Sequence, residues 1–287
     1  MKTSRYPCFA LVSALLALPL PATVDYHDRI GLQLWSVREQ VKADAPAALD
    51  WVKAQGFTEV ETAGTGNLSA ADFQQLLQDR GLKAVSAHIG YDALTKDLAG
   101  SIKTAKTLGA KYVMSAWIPH GKEGLTPELA HKAAADFSKW GEAFRAEGIT
   151  YGYHPHGFEF VPLVSEGGRT AFDILVAETK PENVSFEMDV FWVFHAGVDP
   201  TALLKKHPTR WTILHVKDIR KGAVTGLSTG KAPPTDNVAV GTGQIDWPSV
   251  LRAAQEAGVQ HFLIEDETPT PVICIPDSLK YLRGLKL

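Results

Sequence analysis

The sequence predicts a single-domain α/β protein, a closed (β/α)8 barrel of the TIM type. Eight short apolar runs rich in strand-forming residues alternate with segments of helical character, which indicates a parallel sheet. The 287 residues are enough for one such barrel, which typically needs about 250. No Gly-x-Gly-x-x-Gly motif follows the first predicted strand, which weakens a dinucleotide-binding alternative.

The predicted strands are short runs rich in β-branched, aromatic and other apolar residues. In chain order they are expected at residues 30–35, 57–62, 82–88, 111–116, 149–154, 184–189, 211–217 and 261–266. In a barrel their carboxyl ends meet at one face, and enzymes of this fold place their active sites there. Residues at these strand ends are therefore the first candidates for function.

The predicted helices lie between the strands and begin and end at residues suited to those positions. They are expected at residues 37–55, 69–80, 93–108, 126–148, 168–179, 200–207 and 247–257, with a last helix from about 277. Ser69 is a favourable N-cap, and Pro127 suits a first helical turn. Five helices are followed by a glycine that can adopt the left-handed conformation, at positions 56, 81, 109, 148 and 258.

Composition narrows the range of partners. The chain is 45% hydrophobic and 21% charged with a net charge of -3, so neither nucleic acid nor an anionic membrane surface is expected as a partner. Cys8 and Cys274 are the only cysteines and cannot build a disulfide framework. A small molecule is the expected partner, and assembly into a homo-oligomer is compatible with this composition.

The N-terminus is typical of a secretory signal peptide. Lys2 and Arg5 precede an apolar run over residues 9–18, and small residues and prolines follow over 19–23. We expect residues 1–24 to be removed on export and residues 25–287 to form the barrel, in the periplasm or outside the cell. The alternative is a buried N-terminal helix of the folded domain.

Residues that commonly bind metals stand at the ends of four successive predicted strands. Asp189 ends the sixth strand, His215 lies near the end of the seventh, and Glu265 lies in the eighth. The segment 151–159 around the fifth strand holds three further candidates, His154, His156 and Glu159. Carboxylates and imidazoles that converge from neighbouring strand ends can hold a divalent cation.

A long segment at residues 220–244 interrupts the alternation after the seventh strand. It contains Pro233, Pro234 and five glycines. A loop of this length in a compact domain is commonly a lid or a binding loop, and it would lie on the face that carries the active site. The alternative is a mobile insertion without function.

Six stretches of the sequence, in this order, resemble a known family. They are IGLQLWSVR at 30–38, YHPHGFEF at 153–160, EMDVFW at 187–192, LHVKD at 214–218, VGTGQIDW at 240–247 and LIEDE at 263–267. The chain resembles the xylose-isomerase-like TIM-barrel superfamily, in particular its sugar phosphate isomerase/epimerase and inosose-dehydratase-like members. The resemblance covers nearly all of the chain after the N-terminal segment.

The resemblance implies one divalent cation held by two Glu, one Asp and one His from strands five to eight. Asp189, His215 and Glu265 match these ligands. For the fifth strand the resemblance favours Glu159, with His154 and His156 as substrate contacts, while His154 as the ligand stays an alternative. Such a mixed oxygen and nitrogen site suits Mn²⁺, Mg²⁺, Co²⁺ or Zn²⁺.

The resemblance also implies isomerisation or epimerisation of a keto-sugar or related polyol through an enediolate. Glu159 and Glu265 are then candidate bases. Lys217, two residues after His215, is expected to stabilise the enediolate charge. The alternative for Lys217 is an ion pair inside the barrel with Asp218 or Asp189.

Four further residues are candidates for contact with a sugar. Glu61 and His88 lie in the second and third predicted strands, near the expected mouth of the barrel, where a polar rim role is the alternative. Trp35 and Trp192 are expected to form an apolar wall against a sugar ring, with core or rim packing as the alternative.

Two other functions remain open from the sequence. One is a lyase or dehydratase that acts on a keto-sugar, keto-glycoside or keto-inositol with the same metal site, and the other is a sugar-binding barrel without catalysis. No cluster of Arg and Lys suited to a phosphate stands out, although Lys221 and Lys231 in the long segment are available. An exported enzyme is expected to act on an unphosphorylated sugar or glycoside.

Overall fold

A computed structural model describes residues 24–287, and eight parallel strands within that range close into a barrel, which confirms the predicted fold. The signal peptide predicted at residues 1–24 lies, apart from Val24, outside the described residues. The barrel strands are β1 (Ile30–Gln33), β2 (Glu59–Thr62), β3 (Lys83–His88), β4 (Tyr112–Ser115), β5 (Thr150–Tyr153), β6 (Val184–Asp189) and β7 (Trp211–Val216), with β10 (His261–Ile264) as the eighth. Two short strands, β8 (Asp218–Ile219) and β9 (Asn237–Val238), pair outside the barrel.

Neighbouring barrel strands follow chain order, and β1 closes the barrel by pairing with both β2 and β10. In that closure Leu32 pairs with Val60 on one side and with Ile264 on the other. Every barrel pairing is parallel, so all eight carboxyl ends lie at one face. We call this face the top of the barrel and the opposite face the bottom.

The helices surround the barrel and differ from the predicted set in a few places. They are α1 (Arg38–Ala43), α2 (Ala45–Ala54), α3 (Ala70–Asp79), α4 (Tyr91–Lys96), α5 (Leu98–Leu108), α6 (Pro127–Ala146), α7 (Ala171–Glu178), α8 (Val190–His195), α9 (Pro200–Lys206), α10 (Trp247–Glu256) and α11 (Pro271–Gly284). The glycines at positions 56, 81, 109, 148 and 258 have φ between +60° and +88°, as predicted.

Two predicted helices prove to be pairs of helices, each divided at an aspartate. Asp44 separates α1 from α2 and accepts a hydrogen bond from the Ala47 N–H. Asp97 separates α4 from α5 and accepts one from the Gly100 N–H. A short carboxylate that caps the next helix interrupts the chain without altering the apolar pattern, so the sequence pattern alone predicted one helix at each place.

Two other helices were missed or misplaced. Helix α8 begins directly after Asp189, whose Oδ1 accepts a hydrogen bond from the Trp192 N–H at 3.0 Å. No turn residues separate this helix from β6, so the sequence showed no boundary. The last helix, α11, begins at Pro271 rather than near residue 277, and Pro276 lies inside it.

The long segment after β7 is anchored to the barrel at several points. The pair β8–β9 lies within it, and the Arg220 guanidinium contacts the Asp236 carboxylate at 2.7 Å. Further along, the N–H groups of Gly226 and Leu227 donate to the carbonyl of His195 at 2.8 and 3.1 Å. The segment therefore has secondary structure and a defined course over the top of the barrel.

Asp218 holds the two ends of this segment together. Its Oδ2 accepts hydrogen bonds from the N–H groups of Gly241 (2.9 Å) and Gly243 (3.1 Å) and from Nε1 of Trp247 (3.0 Å). A Cβ at position 243 would lie 2.1 Å from Asp218 Oδ1, so this approach requires glycine. The Asp218 carboxylate is occupied by these hydrogen bonds within the segment. It therefore does not form the ion pair with Lys217 that the sequence left open.

A small apolar cluster lies apart from the main core. It consists of Val85, Met114, Ile213 and Leu263. Ile213 precedes His215 by two residues, and Leu263 precedes Glu265 by two, so each pair shares one face of its strand. The polar residues at the top therefore rest on an apolar layer. Within residues 24–287 no helix is both long enough and apolar enough to span a membrane.

Candidate metal centre

A cavity of about 400 Å³ opens at the top of the barrel, above the ends of several strands. It is lined by His88, His154, His156, Glu265, Glu267, Trp35, Trp117, Trp192, Ala63, Ala116 and Gly230. Gly230 belongs to the long segment after β7, which therefore contributes to the cavity wall. Among the described residues, no lysine or arginine lines this cavity.

Three of the four predicted metal ligands converge beside the cavity, and one of them, Glu265, lines it. Asp189, His215 and Glu265 each offer one ligand atom, and these atoms lie within 4.8 Å of one another. The Nδ1 atom of His215 is 3.1 Å from Glu265 Oε2 and 3.9 Å from Asp189 Oδ2. Atoms bound to one ion at about 2.0–2.2 Å are separated by roughly 3–4 Å, so this spacing fits a coordination shell. We call these three residues the upper group.

Asp189 Oδ2 is the atom that most clearly indicates a bound cation. It is buried, and no hydrogen-bond donor of the described residues reaches it, whereas Oδ1 of the same carboxylate caps α8. Burial raises the pKa of Asp189 to about 6, despite the opposing charge of Lys217. A buried oxygen without a hydrogen bond is costly, and the Lys217 ammonium at 3.7 Å is too far away to donate one, whereas a divalent cation would bind the oxygen directly.

The residue beside the upper group on the β5 side is His154. Its Nε2 lies 3.8 Å from Asp189 Oδ2, and the side chain is almost fully buried. With His154, the upper group would offer two imidazole nitrogens and two carboxylates. This mixed donor set suits a divalent cation of the zinc or manganese type.

Glu159, favoured by the sequence as the fifth-strand ligand and a base, lies apart from the upper group. A short helical turn, Phe158–Phe160, directs its carboxylate back to its own loop. There it accepts hydrogen bonds from the Tyr153 hydroxyl and from the N–H groups of His156 (3.1 Å) and Gly157 (2.8 Å). Burial raises the pKa of Glu159 to about 7. The geometry does not bring Glu159 to the metal ligands or to the cavity wall.

Beneath the upper group lie Glu61 and Glu187. They form a second cluster with His88, which also lines the cavity, and we call these three residues the deep group. The His88 Nε2 is 2.9 Å from Glu187 Oε2 and 3.3 Å from Glu61 Oε2. Both carboxylates are fully buried. Burial alone would lower the pKa of His88, but the charges of Glu61 and Glu187 raise it to about 10.

The deep group changes two expectations from the sequence. Glu61, expected to contact a substrate, accepts hydrogen bonds from Gln33 (2.6 Å) and Ser86 (2.5 Å) and lies below the cavity rather than in its wall. Glu187 was not anticipated at all. Its position two residues before Asp189 places it on the same face of β6, one layer deeper, and this spacing was the available clue.

Lys217 lies among carboxylates beside the upper group. Its Nζ is 3.5 Å from Glu265 Oε2 and 3.7 Å from Asp189 Oδ2, and it donates a hydrogen bond to Glu267. Burial alone would lower its pKa, but Glu265, Asp189 and Glu267 raise it, so Lys217 stays charged. The ion pair with Asp189 that the sequence left open is therefore present.

Three tryptophan and three histidine side chains form much of the cavity wall. Trp35 is 43% exposed, and its Nε1 donates to Glu267 at 3.0 Å, whereas Trp192 is only 6% exposed. Trp117, which the sequence analysis did not single out, is 39% exposed and stands in the same wall. Nδ1 of His156 is buried, and no donor or acceptor in the described residues reaches it.

Comparison with known proteins places these features in context. Residues 49–285 match the sequence profile of a family described as xylose isomerase-like TIM barrel. An inosose dehydratase of Lacticaseibacillus casei is 24% identical over 259 residues, which cover 80% of this chain and 84% of that protein. An inosose dehydratase of Geobacillus thermodenitrificans is 23% identical, covering 77% of this chain and 81% of its own.

Solved structures show the same fold. A sugar phosphate isomerase/epimerase from Parabacteroides distasonis superimposes with a TM-score of 0.74 at 24% identity, covering 90% of this chain and 98% of its own. The IolI protein, solved with a zinc atom, superimposes with a TM-score of 0.68 at 15% identity, covering 88% of this chain and 94% of its own.

Proposed function

Because this chain belongs to the xylose isomerase-like TIM barrel family, we propose that it is a metal-dependent lyase acting on neutral carbohydrates. The reaction is elimination of water or an alcohol from a keto-sugar, keto-glycoside or keto-polyol. The relatives named inosose dehydratases support this class of reaction, since a dehydratase is a lyase that removes water.

The relatives named inosose dehydratases carry the choice of elimination over epimerisation, and the position of Glu159 is consistent with it. Epimerisation requires one group to take a proton from a carbon and a second group to return one to the opposite face. Glu159 was expected to be one of these two groups, but its carboxylate is bound to Tyr153 and to the backbone of its own loop. Elimination needs no proton return to carbon, so it does not require that second carboxylate.

The cation would be held by Asp189, His215 and Glu265, with His154 as the fourth ligand. When bound, it supplies a Lewis acid that polarises the substrate carbonyl and so acidifies the neighbouring C–H bond. The unpartnered Oδ2 of Asp189 and the mixed donor set fit this assignment.

The remaining steps belong to side chains in the cavity wall. His156 lines the cavity, and burial holds its pKa well below the usual range, so it is an uncharged imidazole that would take the proton from the carbon beside the carbonyl. The electrons of that C–H bond form a C=C bond as the C–O bond one carbon further breaks. The departing oxygen takes a proton from His88, a second imidazole of the wall, and leaves as water or an alcohol.

The cavity wall favours an uncharged substrate. The described wall has three indole rings and two carboxylates but no lysine or arginine, so a phosphate would meet two like charges and find no guanidinium or ammonium group to bind it. Indole faces suit the C–H faces of sugar rings. We therefore propose an unphosphorylated sugar, glycoside or cyclic polyol as the substrate class, and export from the cytoplasm, which the N-terminal segment predicts, is consistent with it.

Product analysis tests the proposal. Purified protein loaded in turn with Mn²⁺, Co²⁺ and Zn²⁺ is incubated in D2O with an inosose and with keto-glycosides. We expect an unsaturated or dehydrated product, seen as loss of water or of the aglycone in mass spectra, that disappears with a chelator. The Asp189→Asn variant is the matched control. An epimer or aldose/ketose pair, with deuterium incorporated and nothing eliminated, would overturn the lyase proposal in favour of isomerisation.

A further inference from the structure

The two histidines beside Asp189 are each tied from below to a buried carboxylate. His154 Nδ1 is 2.9 Å from Glu187 Oε2, whereas His215 Nε2 is 2.7 Å from Glu61 Oε2 and 3.1 Å from Glu187 Oε1. Both carboxylates and the His215 ring are fully buried, and His154 is nearly so. Each imidazole thus has one nitrogen directed into the deep group and the other directed toward the upper group.

A neutral imidazole carries one proton, and the nitrogen that donates it leaves the other with a free lone pair. A carboxylate accepts hydrogen bonds and cannot donate them, so it selects the tautomer with the proton on the nitrogen that faces it. Glu187 therefore selects the Nδ1–H form of His154. His215 has a carboxylate at each nitrogen, and Glu61 at 2.7 Å from Nε2 is closer than Glu265 at 3.1 Å from Nδ1, so Glu61 selects the Nε2–H form. In both cases the lone pair faces the upper group.

We infer that Glu61 and Glu187 are positioning residues that set opposite tautomers in the two histidines, so that His154 ligates the cation through Nε2 and His215 through Nδ1. Carboxylates in this position also raise the basicity of the ligand nitrogen. The inference rests on the cation site of the proposed function. It assigns Glu61 a role other than substrate contact and gives a role to Glu187.

The deep group is built to hold the two carboxylates in place. His88 Nε2 lies between them, 2.9 Å from Glu187 Oε2 and 3.3 Å from Glu61 Oε2, and its ring stacks on His215 with 5.7 Å between centroids. Ser86 and Gln33 donate further hydrogen bonds to Glu61 at 2.5 and 2.6 Å. Neither carboxylate can turn away without breaking buried hydrogen bonds.

A second cation in the deep group is the competing explanation. His88, His154, Glu187 and His215 offer ligand atoms within 4.8 Å of one another, and Glu187 Oε1 is a buried oxygen without a hydrogen-bond donor among the described residues. However, His88 Nε2, His154 Nδ1 and His215 Nε2 each lie 2.7–2.9 Å from a carboxylate oxygen of Glu61 or Glu187, and these distances are typical of hydrogen bonds. A second ion would have to displace a proton from each of these nitrogens, so the geometry favours hydrogen bonding.

The tautomers can be observed directly. Purified protein with ¹⁵N-labelled histidine is loaded with Zn²⁺, and long-range ¹H–¹⁵N correlation spectra distinguish the metal-bound nitrogen from the protonated one. The rings are assigned with His154→Gln and His215→Gln. We expect His154 to bind through Nε2 with a proton on Nδ1, and His215 to bind through Nδ1 with a proton on Nε2. The opposite tautomer in either ring would overturn the inference.

The contributions of the two carboxylates are measured by Zn²⁺ affinity in chelator competition. Glu187→Gln and Glu61→Gln keep the volume but remove the charge, and each is expected to weaken binding by about 10- to 100-fold. Glu187→Gln should perturb the His154 ring most and the His215 ring less, because Glu187 contacts both. Glu61→Gln should perturb His215 and leave His154 unchanged. Glu59→Gln is the control, since Glu59 is also a buried carboxylate paired with a histidine, His261, but lies at the bottom of the barrel.

Metal stoichiometry and the wild-type affinity separate the remaining outcomes. Two Zn²⁺ ions per chain, falling to one in Glu187→Gln, would overturn the inference in favour of a second site while leaving the proposed function intact. Affinity in Glu187→Gln and Glu61→Gln that matches Glu59→Gln would also overturn only the inference. Failure of the wild-type protein to bind any of the divalent cations would overturn the proposed function and the inference together.

Discussion

Both ends of the barrel bury histidine–carboxylate pairs, but only the bottom end satisfies its groups completely. At the bottom, Glu59 lies between His261 Nδ1 (2.7 Å) and Arg29 Nη1 (3.0 Å). Burial raises the pKa of Glu59, but hydrogen bonds and charges from His261 and Arg29 outweigh it and lower the pKa overall. At the top, Asp189 Oδ2 has no donor among the described residues, and burial raises the pKa of Asp189 to about 6.

The difference shows what each end contributes. The pair at the bottom stabilises the folded chain without any ligand, because each charge is matched by another within the protein. The upper group destabilises the metal-free chain, because Asp189 becomes charged without full compensation. In barrels of this type the bottom face carries stability and the top face carries chemistry, and the two carboxylates follow that division.

The largest effect is expected when Asp189 at the top is neutralised. Asp189→Asn should weaken divalent cation binding by more than roughly 100-fold, which is the most that loss of a residue hydrogen-bonded to a ligand usually causes. Activity should be lost with the metal. The metal-free variant should be more stable than wild type above about pH 6. A raised carboxyl pKa means that wild-type stability falls as pH rises from 3.8 through about 6, where the folded protein loses its extra proton.

Metal analysis and urea unfolding of the metal-free proteins at pH 4 and pH 8 check both results for Asp189→Asn. A variant that keeps wild-type metal content would remove Asp189 from the site. It would also remove the contrast between the two ends of the barrel.

The next largest effect distinguishes the two candidates for the fifth-strand ligand. His154→Gln should weaken metal binding by roughly 100-fold or more. Loss of a group that only hydrogen-bonds a ligand typically costs about 10- to 100-fold, and loss of a ligand should cost at least the upper value. Glu159→Gln should leave metal affinity unchanged, because the Glu159 carboxylate is bound within its own loop. Calorimetric titration with Mn²⁺ or Zn²⁺ compares the two variants. The reverse result would restore Glu159 as the ligand that the family resemblance favoured.

At the bottom of the barrel, a carboxylate change should alter stability alone. Glu59→Gln should lower the free energy of unfolding by about 1–3 kcal/mol, because it leaves His261 and Arg29 without their charged partner. Since the pKa of Glu59 is lowered on folding, this stability is present above pH 4.5 and is lost as pH falls below it. Urea unfolding at pH 7 and pH 3 measures the effect. Altered metal affinity in this variant would contradict the separation of the two ends.

The smallest effect concerns Glu159, where two contributions oppose each other. Burial raises its pKa to about 7, so wild-type stability should fall as pH rises from 4.5 through about 7. Glu159→Gln should flatten this part of the pH profile. The net change at neutral pH should be small, because the variant also loses charged hydrogen bonds to His156 and Gly157. Denaturant unfolding of both proteins at pH 5, 6, 7 and 8 measures how the free energy of unfolding depends on pH. The same pH dependence in Glu159→Gln and in the wild type would contradict the raised pKa of Glu159.

Much of the site was predictable because strand ends in a parallel barrel converge. Asp189, His215 and Glu265 could be chosen on that ground alone, and the structure brings them within 4.8 Å of one another. The residues outside the barrel strands were harder to place. Glu159 follows β5 by several residues, and the short turn that redirects its carboxylate depends on contacts with Tyr153 that no local pattern shows.

The amino-acid sequence by itself determined the fold. The alternation of strands and helices, the residues that cap helix N-termini and the glycines that end helices are local features, and each acts within a few residues. It also determined that three candidate ligands converge, since strand order places them at one face. Only the tertiary structure decided which nitrogens of His154 and His215 face Asp189, and that Glu61 and Glu187 lie beneath them. Side-chain direction inside a closed barrel depends on hydrogen bonds between strands distant in sequence, and no single stretch of the chain contains both partners.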